Sequence, residues 1–168
     1  MKKFILLLGV LISLFTSCSR NNYIGNRIEN LPNDVVLNWN NVAYEAFGGV
    51  AIQHSLMASR INAMVSLAMH DALNAVYPKY ATYAFTGKDT GADPIAAVAS
   101  AAHAVLLHET PDRKSFIDSA LQQTLSAIAD GDAKTRGIKL GAAAGQAILA
   151  NRANDGSAGN PVVPVPPS

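Results

Sequence analysis

Asp93-Pro94-Ile95-Ala96-Ala97-Val98-Ala99-Ser100-Ala101-Ala102-His103-Ala104-Val105-Leu106 carries its own start signal and a helical apolar pattern. An Asp just ahead of a helix accepts a hydrogen bond from a first-turn N–H, and proline suits the first helical position, where no intrahelical acceptor awaits its missing N–H. Ile95, Val98, Ala99, Ala102, Val105 and Leu106 then recur three and four apart and point inward, until Thr110-Pro111-Asp112 breaks the run.

The flanking sequence repeats this logic. Upstream, Asn33 or Asp34 is placed to cap a helix carrying Val35, Val36, Trp39, Val42, Ala43 and Phe47, closed by Gly48-Gly49. A second helix is expected from about Leu56 to Tyr77, with Ile61, Met64, Val65, Ala68, Ala72 and Val76 inward and Pro78 as the stop. Downstream, Arg113 to about Ala129 reads as a helix burying Phe116, Ala120, Leu121, Leu125 and Ile128. Asp130-Gly131-Asp132 is a turn whose second Asp caps a fifth helix reaching about Asn151. No segment sustains the alternation a strand needs, so the expected fold is all-α, a bundle of about five helices over residues 33–155.

That last helix sets Gly137, Gly141 and Gly145 four apart on one face. Glycine costs about 1 kcal/mol against alanine in a helix interior. Three on one stripe call for close approach of another helix, from within the chain or from a partner. Residues 156–168 form a Pro-rich linker or end, with Pro161, Pro164, Pro166 and Pro167 disfavouring regular structure.

The other end of the chain is an address. Met1, Lys2 and Lys3 precede an apolar run from Phe4 to Phe15 and then Thr16-Ser17-Cys18. This is the layout of a secretory signal, and the run is shorter than the roughly 20 apolar residues that span a bilayer. Leu14-Phe15-Thr16-Ser17-Cys18 resembles a lipobox, so residues 1–18 are expected to be a lipoprotein signal peptide ending in a lipidated Cys18. Ser19 at the next position suggests the outer membrane, with the domain facing the periplasm or cell surface. Residues 19–32 read as a flexible tether. Cys18 is the sole cysteine of the chain, which leaves no intramolecular disulfide. Of 13 basic residues Lys2 and Lys3 leave with the signal, so 11 face 12 acidic ones, without the basic stripe a nucleic-acid partner would need.

No complete catalytic constellation is legible. His103 and His108 are five apart and diverge by about 140° on a helix, and no histidine pair has metal-ligand spacing. His70-Asp71 are helix neighbours about 100° apart, so they cannot act as a base and its orienter. His70 is expected on a polar stripe with Asn62, Ser66 and Asn74, while Arg60 and Asp71 are expected to pair with neighbouring helices. Trp39, Tyr77, Tyr80 and Tyr83 read as cover for a core. There is no Gly-x-Ser-x-Gly elbow and no phosphate-binding glycine loop, and Gly156-Ser157-Ala158-Gly159 reads as a turn.

Taken as a set, three stretches resemble a known family. Ser59-Arg60-Ile61-Asn62-Ala63-Met64 with Ala68-Met69-His70-Asp71-Ala72-Leu73-Asn74-Ala75, then Ala96 through Leu106, then Gly137-Ile138-Lys139-Leu140-Gly141 through Ile148-Leu149-Ala150-Asn151-Arg152, are similar to the N-terminal helical region of bacterial vanadium-dependent haloperoxidase-like proteins, in the type 2 phosphatidic acid phosphatase superfamily. The resemblance implies a scaffold of helices followed by a catalytic bundle. That bundle's Lys-x6-Arg-Pro, Pro-Ser-Gly-His and Ser-Arg-x5-His motifs bind vanadate or phosphate. None of these motifs occurs here, so no catalytic, cofactor-binding or metal residue is carried over, and vanadate is expected only for a complete haloperoxidase. The resemblance implies a scaffold portion, inactive alone, of a protein that either oxidises halide with peroxide or hydrolyses phosphate monoesters. Its partners would be the membrane, through the lipid on Cys18, and the C-terminal catalytic bundle. The alternative is a stand-alone helical lipoprotein that binds another helical partner through the glycine face and the Pro-rich tail.

Overall fold

The computed structural model describes residues 32–49 and 55–157. Cys18, the expected signal peptide and nearly all of the expected tether, His54 and the chain after 157 lie outside the described residues. Five α-helices are present among those described: α1 (Asp34–Ala46), α2 (Ser55–Val76), α3 (Pro94–Glu109), α4 (Lys114–Ser126) and α5 (Asp132–Arg152). The fold is all-α. None of these helices is long and apolar enough to cross a membrane.

The centre is α3. Ala96 through Ala102 are all buried, as are Val105 and Leu106, so this helix is enclosed on nearly every side. A helix apolar all round is stable only when others surround it, and α2, α5, α1 and α4 do so. Its start is as the sequence predicts: the Asp93 carboxylate accepts the Ala96 N–H at 2.8 Å, ahead of Pro94. The Asp93 N–H in turn donates to the Ala133 carbonyl at 2.8 Å, which joins the first turns of α3 and α5.

The most extensive packing is between α3 and α5, and the glycines explain it. A Cβ on Gly137 would stand 2.5 Å from the Asp93 carbonyl oxygen, and one on Gly145 would stand 2.7 Å from the Ala104 Cβ. One on Gly141 would overlap the Ala97 carbonyl and lie 2.9 Å from the Ala101 nitrogen. The stripe is therefore filled inside the domain by the alanines of α3, and it is not a free face for an outside helix.

On α2 the expected inward residues Ile61, Met64, Val65, Ala68, Ala72 and Val76 are all buried. On α1, Trp39, Ala43 and Ala46 are buried, with Val35, Val36, Val42 and Phe47 packed at the margin. Tyr77 is half-buried against the core, whereas Tyr80 and Tyr83 are exposed, so the aromatic cover is thinner than expected.

Three local expectations are corrected. Helix α4 does not begin at Arg113: Pro111–Arg113 forms a 3-10 turn, and the α-helix runs only to Ser126. On α4 the buried residue is Ile117. Phe116 is 38% exposed, with the Arg113 guanidinium over its ring. Leu121 and Ala120 pack only partly against the core, and Leu125 and Ile128 are likewise half-buried. Asn33 precedes α1 without a side-chain capping bond. Asp132 lies inside the first turn of α5, behind Gly131 as N-cap, and its carboxylate faces Arg136 instead of capping.

Candidate functional site

Three polar assemblies interrupt the apolar packing. The first is built on Asp71, which is completely buried on α2. Its Oδ1 accepts the Tyr83 N–H at 2.7 Å, and its Oδ2 accepts the N–H groups of Ala84 and Phe85 at 2.8 Å each. A buried carboxylate needs such donors in place of water. The expected pairing with a neighbouring helix is therefore replaced by a pairing with the loop between α2 and α3. One turn on, Asn74 Oδ1 accepts the Tyr80 N–H at 2.9 Å, and its Nδ2 contacts His70, whose Nε2 is also 2.9 Å from the Ala81 carbonyl oxygen. His70 thus helps hold the same loop, the structural role its polar stripe predicts.

The second assembly is a clasp on Arg60. Its Nη1 donates to Glu109 of α3 at 3.0 Å and its Nε to Asp155, just past α5, at 2.8 Å. Here the expected inter-helix pairing is present. The hydrogen bond from Arg60, followed by that from Ser157, holds the Asp155 carboxyl well below the usual carboxylate range. Asp155, opposing desolvation, raises Arg60. Beside the clasp, Arg152 donates to the Tyr83 hydroxyl and lies over its ring, so the end of α5 also touches the Asp71 loop.

The third lies between α3 and α4. His103 Nε2 is 2.8 Å from Asp118 Oδ1, and Lys114 donates to the other Asp118 oxygen. Lys114 first, and then His103, lower the Asp118 pKa. An open groove of about 400 Å³ is lined here by His103, Asp118, Ser119, Leu121 and Gln122. Nothing in the sequence announces this pair, because its members are 15 positions apart on different helices. By contrast, His108 is exposed, with its Nδ1 3.1 Å from an oxygen of its neighbour Glu109.

The remaining cations are distributed. Arg136 pairs with Asp89 and Asp132, Lys134 with Asp130, and Arg113 donates to the Glu45 carbonyl. Vanadate or phosphate requires several cationic donors converging on one point. Arg60 lies beside Arg152 and donates to its carbonyl, but both guanidinium groups are already turned to protein partners, as are those of Arg113 and Arg136, so the described residues as they stand offer such an anion no shared cradle. Among the described residues no three His, Cys, Asp or Glu side chains gather as a metal-binding group. No family model, no curated protein and no solved structure matches the chain.

Proposed function

We propose that this domain is the helical scaffold of an exported protein tethered through Cys18. In this reading a separate helical bundle, of the vanadium-dependent haloperoxidase-like or acid-phosphatase-like kind, furnishes the oxyanion centre. The observation that carries the reading is the placement of the arginines: Arg60, Arg136 and Arg152 each fasten one element to another. The stretches that carry the resemblance also fall on α2, α3 and α5, the helices with the closest mutual packing. In this role the domain binds no halide, peroxide or phosphate ester. It presents a firm helical layer to the bundle and holds it at the membrane surface.

The experiment is turnover by the purified mature chain, with halide, vanadate and peroxide in one assay and a phosphate monoester in the other. We expect no activity. Turnover that is lost on mutating a described residue would overturn the reading. Separately, Cys18→Ser is expected to release the protein from the membrane fraction, and unchanged fractionation would remove the anchor from the proposal.

A second reading, a stand-alone lipoprotein that binds a protein partner, draws on the exposed apolar side chains Leu37, Tyr44, Leu56 and Met57. The glycine face no longer contributes to it. A mature chain that forms a complex with a separately expressed catalytic bundle, with turnover appearing in the mixture, favours the scaffold. One that forms no such complex favours the second reading.

A further inference from the structure

Pro161, Pro164 and Pro167 stand three apart in the sequence. A polyproline II helix has three residues per turn, so a segment in that form sets all three prolines along one edge. Surfaces that take such an edge are built from aromatic rings, and the segment has little conformational freedom left to lose.

The loop between α2 and α3 carries rings of that kind. Tyr80 is 60% and Tyr83 47% exposed. An exposed tyrosine alone is ordinary, but the backbone beneath these two is pinned. The Tyr80 N–H donates to Asn74, the Ala81 carbonyl meets His70, and the N–H groups of Tyr83, Ala84 and Phe85 donate to the buried Asp71 carboxylate. A buried carboxylate is thus committed to a loop whose two tyrosines face solvent. The rings are braced as well. The Lys79 ammonium lies 5.6 Å from the Tyr80 ring centre, and the Arg152 guanidinium lies 5.3 Å from that of Tyr83 while donating to its hydroxyl. Rings held in this way lose little entropy on being covered, which suits them to binding.

We infer that Tyr80 and Tyr83 are the docking surface for residues 161–167 of the same chain. Reach decides the occupant. Arg152, which touches Tyr83, is the last residue of α5, and Arg60 holds Asp155 close beyond that end. Ser157 is the last described residue, and the four residues on to Pro161 extend at most about 14 Å. The Pro-rich segment therefore begins beside the tyrosines, at an effective concentration that a separate Pro-rich protein does not match. The spacing is compatible, since one polyproline II turn rises about 9 Å and three residues of loop span at most roughly 11 Å from Tyr80 to Tyr83. Residues 158–167 carry no charge, so the cations bracing the rings do not repel them. This docking does not depend on the scaffold role.

The test is nitration of the full chain by tetranitromethane at constant detergent, with the rate at each tyrosine read by peptide mass spectrometry. Tyr44 on α1, 41% exposed, is the internal reference. The combined variant Pro161→Ala, Pro164→Ala and Pro167→Ala alters no described residue. In it Tyr80 and Tyr83 should react at least about threefold faster than in the native chain, with Tyr44 unchanged. Val163→Pro combined with Pro164→Val keeps the number of prolines but breaks their period, and it should release the rings in the same way. The proposal is overturned by equal rates at Tyr80 and Tyr83 in the native chain and the triple variant, or by protection that survives the Val163–Pro164 exchange. It is also overturned if Tyr44 accelerates equally, the mark of a general loosening, or if the native rates rise on dilution, which would put the tail of a second copy on the rings.

Discussion

Asp71 shows how one side chain fixes a stretch that has no regular structure of its own. Three consecutive backbone N–H groups, at Tyr83, Ala84 and Phe85, converge on its two oxygens. Asp71→Asn keeps the shape but turns one acceptor into a donor facing an N–H, leaving buried groups unsatisfied. Such a loss costs about 2–3 kcal/mol, to be read as a lower urea midpoint. The same variant should expose the amides of Tyr83 to Phe85 to hydrogen exchange ahead of the helices. Uniform loss of protection across α2 and α3 would show instead that the carboxylate supports the whole core. The sequence marks Asp71 as a polar residue on a buried helix. It cannot name the partner, because backbone N–H groups carry no residue identity and the loop closes 12 to 14 positions away.

That α5 receives another helix at close range is legible in advance from its four-residue glycine period; that this helix is α3 of the same chain is supplied by the structure, which sets the α3 backbone and alanines against the glycines. Adding a methyl at Gly141 gains about 1 kcal/mol of helix propensity, but it drives a Cβ into the Ala97 carbonyl. Overpacking against backbone, which cannot rotate away, costs more than that gain, so Gly141→Ala should be destabilising by about 2 kcal/mol net. At exposed Ala143 the opposite exchange, to glycine, should cost only about 1 kcal/mol. Equal thermal midpoints for Gly141→Ala and the native chain would mean the helices can move apart without penalty. The misreading of α4 has the complementary cause. Its apolar residues are spread widely enough that two phases fit the pattern, and the packed one buries Ile117 and exposes Phe116. The His103–Asp118 pair depends on that phase. It was beyond the reach of spacing rules for the same reason.

Several carboxylates hold this domain together from its surface, and their protonation should govern its acid stability. Asp155, Asp89, Asp118 and Asp130 all have depressed pKa values, chiefly through hydrogen bonds from Arg60, Arg136, Lys114 and Lys134 respectively. A depressed carboxyl contributes stability that is fully present above its unfolded value, near 3.9, and is lost as pH falls through the folded value. The domain should therefore hold a steady urea midpoint above about pH 5 and weaken progressively below pH 4. The pairs are not equivalent. The Asp130 side chain is 96% exposed and its partner Lys134 lies four residues away on the same chain segment, so Asp130→Asn should hardly alter the acid limb. Arg60 instead ties α2 to the end of α3 and to the residues after α5, through side chains that are mostly covered. Arg60→Met should lower the midpoint at neutral pH, flatten the decline between pH 4 and pH 2, and loosen the amides at the end of α5 first. If Arg60→Met instead follows the native chain at every pH, with a constant offset, the Asp155 carboxylate plays no part in acid unfolding and the clasp acts through packing alone.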